Sequence, residues 1–271
     1  MARGPADWRP PIVVDDVVGR VEVRRDPRNP SVRLLEIGGQ LHGAIDLERP
    51  ERLPLDYLAR MGAVLDALLP AGPSRVLHLG GGAFALPRAL AVRRPELDQV
   101  VVEQSRQIIR LAERELGLRG TASLAVVHDD ARAALERCDD GSVDAITCDA
   151  YVGGEVPRHL TTVEFAVDVA RVLKPRGCYL VNLIDAPPWP VLSVHAATSR
   201  TALPHLVAVA APAIAALQAY GNLLLVASRR PVHRPTLEWR VRDSVLPTAL
   251  VAGGRLAALA THGRPRHDAD G

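Results

Sequence analysis

Residues 76–90 read VLHLGGGAFALPRAL. A short apolar run meets three consecutive glycines, and a segment of helical character follows. An apolar strand, a glycine turn and a helix in that order form the entry to an α/β fold. In an open parallel sheet, ligands collect at the carboxyl ends of the strands. Gly80, Gly81 and Gly82 stand at such an end. Glycine lets the backbone turn tightly and lets a ligand approach with no Cβ in the way. The helix that follows begins with unpaired N–H groups.

Downstream the pattern repeats. QVVVE (99–103), LAVVHDD (124–130), VDAITCD (143–149) and CYLVNLI (178–184) read as strands. SRQIIRLAERELG (105–117), ARAALER (131–137) and a segment opened by the capping-box spacing of Thr161 and Glu164 read as helices. Ser105 is an N-cap and Gly117 a C-terminal stop. HLVAVAA (205–211) and GNLLLVAS (221–228) are late strands. Strands alternating with helices predict a parallel sheet covered on both faces.

Upstream, residues 1–15 are proline-rich and read as irregular. GRVEVRRD (19–26) and SVRLLEIGGQLHGAIDL (31–47) predict three antiparallel strands, a small N-terminal sheet. LDYLARMGAVLDALL (55–69) spaces Leu58, Met61, Leu65 and Leu68 as a helix face. The expected organisation is an N-terminal β-strand region over 1–57, a Rossmann-like nucleoside-binding domain over 58–235 and a weakly patterned segment over 236–271.

Composition narrows the function classes. Thirty-three basic residues against 31 acidic give a net charge of +2, which offers no electrostatic case for nucleic acid or an anionic membrane. No uncharged apolar run reaches the ~20 residues that span a bilayer. Cys138, Cys148 and Cys178 form no CxxC pair, so a reduced, cytoplasmic protein is expected. Walker, GxSxG and HExxH motifs are absent, and the histidines lack ligand spacing, so no metal is expected.

Acids end three successive strands on the same rim. Glu103 follows Gly82 by 21 residues, where a carboxylate can accept ribose hydroxyls. Asp129 and Asp130 end the third strand, where a carboxylate meets an adenine amino group. Asp149 ends the fourth. Together they point to an adenosine-type ligand. GGGAFA formally satisfies the dinucleotide pattern GxGxxG/A. That motif does not require acids after the third and fourth strands. A ligand of the S-adenosylmethionine type does use a ribose acid and an adenine acid, and it needs no pyrophosphate cradle.

In these segments the chain resembles the spermidine synthase family, within the class I S-adenosylmethionine-dependent transferase fold. The resemblance runs over roughly residues 30 to 230. It implies cofactor-binding roles for Gln40, Gly80, Gly81, Gly82, Glu103, Asp130 and Ala131. It implies catalytic roles for Asp149 and, in the same loop, Tyr151, and a substrate-binding role for Tyr57. S-adenosylmethionine or its decarboxylated form would be the co-substrate and a small-molecule amine the acceptor. A homodimer through the N-terminal region is compatible with it.

Three positions depart from the family's pattern. Ala83 stands where an aspartate usually holds the aminopropyl amine. Val152 stands where a second catalytic-loop aspartate is usual. Leu58 and Ala59 follow Tyr57 in place of histidine and glutamate. A polyamine is polycationic and calls for carboxylates, so the nucleoside half reads as kept and the polyamine half as eroded. Asp15, Asp46, Glu155 and Asp185 are the acids that folding would have to bring in as compensation. Three functions follow: an aminopropyltransferase-like enzyme, a methyltransferase acting on another acceptor with Tyr151 and His159 near it, or a non-catalytic nucleoside-binding or interaction protein. His159 by itself reads as a surface loop residue.

Overall fold

The computed structural model describes residues 11–16, 18–242 and 246–270. Its first four strands, β1 (Ile12–Asp16), β2 (Gly19–Arg25), β3 (Val32–Ile37) and β4 (Gln40–Asp46), form an antiparallel meander. The sheet therefore has four strands and not three. β1 lies where the sequence read as irregular. It is largely exposed and takes its strand form from pairing with β2, Val14 opposite Val21, so it carries no apolar alternation to announce it. Val21, Val23, Leu35 and Ile45 are buried against the main domain, with Val14 partly buried beside them.

The chain then runs α1 (Asp56–Leu68), β5 (Ser74–Leu79), α2 (Ala85–Arg93), β6 (Leu97–Glu103), α3 (Arg106–Glu115), β7 (Leu124–His128), α4 (Ala131–Glu136) and β8 (Val143–Cys148). It continues through α5 (Val163–Val172), β9 (Leu173–Asp185), α6 (Pro190–Arg200), β10 (His205–Ala210), α7 (Pro212–Ala215) and β11 (Gly221–Ser228). It closes with α8 (Arg234–Arg242), β12 (Ala249–Ala252) and α9 (Gly254–His262). β5 to β12 form one sheet of eight strands in the order β12-β10-β11-β9-β8-β5-β6-β7.

This sheet is mixed, where alternation alone predicts it parallel. β7, β6, β5, β8 and β9 are parallel neighbours, whereas β11 runs antiparallel between β9 and β10. The reason is the connection. Only the four-residue α7 and a turn separate β10 from β11, too short for a crossover to a parallel neighbour. From β5 the chain builds outward to β7 and then returns to place β8 on the other side of β5. That reversal opens a crevice at the carboxyl ends of β5 and β8.

Both sheet faces are apolar, and alternate residues feed two cores. Val76, Val101, Ala145, Leu180 and Leu224 join the core that holds α1, α2 and α3. Leu77, Val102, Ile146, Val181 and Leu225 join the core that holds α4, α5 and α6. This explains why the strands read as continuous hydrophobic runs.

Helix ends follow local chemistry. Ser105 Oγ accepts the Ile108 N–H and caps α3, and Gly117 takes the left-handed conformation just after it (φ +66°). The cap of α5 is Thr162, whose hydroxyl accepts from Phe165 N, one residue beyond the expected Thr161. Thr161 instead donates to the Arg158 carbonyl, and Glu164 is engaged with His267. The last forty residues are more ordered than their pattern suggests. α8 packs on α1, β12 adds an edge to the main sheet and α9 packs on α6. Among the described residues no helix is long and apolar enough to cross a membrane.

Candidate active site

Above the carboxyl ends of β5, β6, β8 and β9, roofed by the β3–β4 hairpin, lies a cavity of about 190 Å³. A water needs roughly 10–15 Å³ by this measure, so the space holds on the order of a dozen waters and is no packing defect. Gln40, Tyr57, Gly80, Gly81, Gly82, Glu103, Asp130, Ala131, Asp149 and Tyr151 all line it. Folding thus gathers at one place residues that stand up to 111 positions apart (151 minus 40).

The glycines have separate causes. Gly80 has φ +97°, and a Cβ there would lie 2.7 Å from the Asp149 carbonyl oxygen. A Cβ on Gly81 would meet the Phe84 ring at 2.6 Å. Phe84 is itself fully buried in a left-handed conformation at the start of α2. Two of the three glycines are therefore demanded by the protein's own packing. Gly82 has open space on its outward side, its nearest neighbour being the His42 carbonyl at 3.5 Å, and favours glycine through its left-handed φ of +49°.

Glu103 ends β6 and holds the glycine loop from beneath. Its Oε2 accepts the N–H of Gly81 at 2.9 Å and of Gly82 at 3.3 Å, and its Oε1 accepts Ser105 N at 2.8 Å. Gly80 N is bonded to the Val102 carbonyl and Phe84 N to the Gly81 carbonyl. Burial raises the Glu103 carboxyl above its ordinary value, and the three N–H bonds partly offset that.

Asp130 caps α4. Its Oδ1 accepts Arg132 N and Ala133 N at 2.9 and 3.0 Å, and its Oδ2 lies 2.9 Å from His159 Nε2. Partial burial works against its charge, but the helix N–H groups and His159 outweigh it and lower the carboxyl. His159, read from sequence as a surface residue, is half-exposed and lines the cavity as the partner of Asp130. Ala131 follows with its small side chain buried.

Asp149 follows β8 on the other side of the glycine loop. Its Oδ2 accepts the Tyr57 hydroxyl and its Oδ1 accepts Asn182 Nδ2, both at 2.9 Å. Asn182 is buried on β9, and its Oδ1 in turn accepts Asn222 Nδ2 from β11 at 3.2 Å. Tyr151 donates its hydroxyl to the Asn182 backbone carbonyl at 2.8 Å. Burial pushes the Asp149 carboxyl up, and its two donors pull it partly back. Burial first, then the charge of Asp149, raises the Tyr57 phenol well above its ordinary value and raises Tyr151 as well.

Sequence reading missed Asn182 and Asn222. The only available signal was a polar residue within an apolar strand, VNLI and GNLLL. It also missed a buried chain under the floor, where His78 Nδ1 meets Thr147 Oγ1 at 2.8 Å and His78 Nε2 meets Gln99 Oε1 at 3.1 Å. Burial lowers His78 to about 4, so it is neutral at physiological pH.

The departures have structural correlates. Ala83 is buried against β4, and a Cβ on Gly43 would sit 2.5 Å from the Ala83 Cβ. Val152 is 45% exposed and does not line the cavity. None of Asp15, Asp46, Glu155 and Asp185 lines it either. Asp46 accepts the N–H groups of Glu48 and Arg49, and Asp185 those of Ala186 and Leu192. Among the described residues no group of three His, Cys, Asp or Glu side chains is arranged to hold a metal ion.

Comparison with known proteins agrees with this architecture. No family model matches the chain. A polyamine aminopropyltransferase of Chromobacterium violaceum is 30% identical over 155 residues, 56% of this chain and 58% of that protein. The match thus spans less than two thirds of the relative. The crystal structure of a probable spermidine synthase from Corynebacterium glutamicum superposes with a TM-score of 0.86 at 24% identity, covering 96% of this chain and 97% of that one. Human methyltransferase-like protein 13, crystallised in complex with SAH, superposes at 0.59 with 18% identity, covering 79% of this chain and 96% of that one. The chain has the Rossmann-like class I methyltransferase-type fold with a small N-terminal antiparallel sheet, and it is similar to the spermidine synthases.

Proposed function

We propose that this protein is a spermidine-synthase-like transferase. It would bind S-adenosylmethionine or its decarboxylated form and transfer the alkyl group, an aminopropyl group in the second case, to an amine. The observation that carries the reading is the orientation of the glycine loop. The N–H groups of Gly80, Gly81, Gly82 and Phe84 all bond to the protein itself, two of them to the Glu103 carboxylate. A pyrophosphate needs free loop N–H groups, and here a negative carboxylate stands directly behind them. A nucleoside without phosphate meets neither obstacle.

The residues present fit such a group. Glu103 has both oxygens fixed by backbone N–H bonds and keeps lone pairs for ribose hydroxyls. Asp130, with Ala131 at its side, would take the adenine edge, and Gln40 would close the cavity from the hairpin. When bound, the nucleoside supplies a carbon made electrophilic by its sulfonium: the amine lone pair forms the C–N bond, and the C–S pair stays on sulfur as a neutral thioether. Asp149 would orient the acceptor amine and take its proton as that bond forms. Tyr57 and Asn182 hold one carboxylate oxygen each and limit its rotation, which is the positioning such a transfer needs. Tyr151 would wall the acceptor side, its hydroxyl engaged with Asn182.

One observation favours methyl transfer as a second reading. Asp149 is the acid at the acceptor side, and methylation makes no demand for further carboxylates. Calorimetric titration with S-adenosylmethionine, its decarboxylated form, 5′-methylthioadenosine and NAD tests the ligand class. The expected result is binding of the thioethers or sulfonium nucleosides. Tight NAD binding without any response to them would overturn it. Product mass then separates aminopropyl from methyl transfer.

A further inference from the structure

We infer that the acceptor carries a single basic nitrogen on an otherwise uncharged body, because the acceptor half of the cavity presents one carboxylate, Asp149, among amides, phenols and aliphatic side chains. This rests on the transferase reading above and narrows its substrate class.

Sheet order separates the cavity into two halves. β6 and β7 lie on one side of the glycine loop of β5, and β8, β9 and β11 lie on the other. The cavity acids Glu103, Asp129 and Asp130 all follow β6 or β7. Each is engaged there: Glu103 with the loop N–H groups, Asp129 with Arg137 and Asp130 with α4 and His159. On the β8 side Asp149 is alone among the described residues that line the cavity.

The surroundings of Asp149 are uncharged. Asn182 and Ile184 point to the same face of β9 because they are two residues apart, and Asn222 of β11 lies opposite Ile184 in register. All three line the cavity. The roof is the β3–β4 hairpin with Ile37, Gln40 and Leu41, and Gln40 Oε1 comes within 3.7 Å of the Cβ position of Gly154 in the loop after Asp149. His42, also in the roof, has its pKa lowered by burial, which favours the neutral imidazole, and a histidine offers an ammonium no negative charge in either form. A second ammonium placed here would lose its water and find no counter-charge, which is costly. A single ammonium pairs with Asp149 and leaves an uncharged remainder against Ile184 and the hairpin.

The two positions from which a second acid might have come supply none. Ala83 lines the cavity with a methyl group packed against Gly43, and Val152 stands outside it. Leu41, by contrast, lines the roof and is 49% exposed, so a carboxylate can be placed there without opening a core.

The test is calorimetry on the full chain in two stages. Binding of 5′-methylthioadenosine comes first. Its absence would remove the transferase reading and this inference with it. With the nucleoside in place, n-pentylamine and 1,5-diaminopentane are compared, two amines of equal length that differ by one ammonium. The expected result is that the monoamine binds about tenfold or more tightly than the diamine. Equal or tighter binding of the diamine, or binding of neither amine to the nucleoside complex, overturns the inference while leaving the nucleoside site standing. Leu41→Asp should move the ratio about fivefold or more towards the diamine. An unchanged ratio in a folded Leu41→Asp protein also counts against it.

Discussion

Glu103 and Asp149 stand at the ends of the two strands that flank β5, face one cavity and are both raised by burial, yet they are held in different ways. Glu103 is bonded by three backbone N–H groups from residues within 22 positions of it. Asp149 is bonded by side chains, Tyr57 from 92 positions away and Asn182 from 33. A backbone-held carboxylate is part of the fold, because losing it strands buried donors. A side-chain-held carboxylate can be removed with less structural damage, and its loss falls on chemistry. The half of the cavity proposed for the nucleoside is thus tied to the main chain, and the half proposed for the acceptor is built from replaceable side chains.

The largest effect that would sharpen this contrast is on turnover. Asp149→Asn should lower the rate of alkyl transfer by about 100- to 10,000-fold, the usual worth of a positioned base. The affinity for 5′-methylthioadenosine should stay within about threefold, since the proposed ribose ligand is Glu103 and not Asp149. Parallel loss of both would dissolve the division into halves. The pH profile gives the same contrast a sign. Asp149 must be ionised to take a proton, so turnover should rise as the pH climbs through its raised pKa, above the ordinary 3.8. Its effect on stability runs the other way. A carboxyl raised on folding contributes stability that is present below its unfolded pKa and is lost as the pH rises through the folded one.

Next in size is Glu103→Ala. It leaves the N–H groups of Gly81, Gly82 and Ser105 without their acceptor and should cost on the order of 3 kcal/mol of stability, read by chemical denaturation. Nucleoside affinity should fall roughly thirtyfold in the same variant. A stable variant with weakened binding would mean the carboxylate serves the ligand alone.

Gly80→Ala tests whether the loop is shaped by the protein or by its ligand. The left-handed φ and the 2.7 Å approach to the Asp149 carbonyl predict a loss of about 1–3 kcal/mol in the protein without ligand. Gly82→Ala shares the left-handed strain (φ +49°) but meets no clash, so its stability loss should be the smaller of the two and its effect on nucleoside affinity the larger. Equal stability losses would contradict that distinction.

The smallest effect concerns the C-terminal tail. Arg132 makes a two-pronged pair with Asp268, both contacts at 2.7 Å, and its guanidinium also donates to the His159 carbonyl at 3.3 Å. Asp268→Ala should cost less than about 1 kcal/mol, as exposed pairs do, and weaken nucleoside affinity slightly through His159 and Asp130. The Arg132 partner lowers Asp268 to about 2. The contact is therefore complete above the ordinary 3.8 and is lost as the pH falls towards 2, which proton exchange in the tail would report.

Much of the β6–β7 side of the cavity was legible before folding. The glycine turn and the acids that end β6 and follow β7 are signals carried within a few residues, whereas the capping of α4 by Asp130 came from the structure. The β8 side was not legible in this way. Asp149 could be picked out, but Tyr57, Asn182 and Asn222 come from α1, β9 and β11, and only the sheet order makes them neighbours. The glycines were read as room for a ligand, whereas Gly80 and Gly81 answer to Asp149 and Phe84. The elements among the described residues of the last forty carry little sequence signal: α8 is weakly amphipathic and its stability comes from packing on α1.

The sequence alone determined the alternation of strands and helices from β5 to β9, the bend between β5 and α2 and the rim of acids. Those depend on periodicity and on backbone angles that neighbouring residues impose. The tertiary structure alone decided where each loop N–H points, which side chains grip Asp149 and which acids stay outside the cavity. Those depend on distances through space, which are set by strand order and by what packs against what, and chain spacing does not encode them.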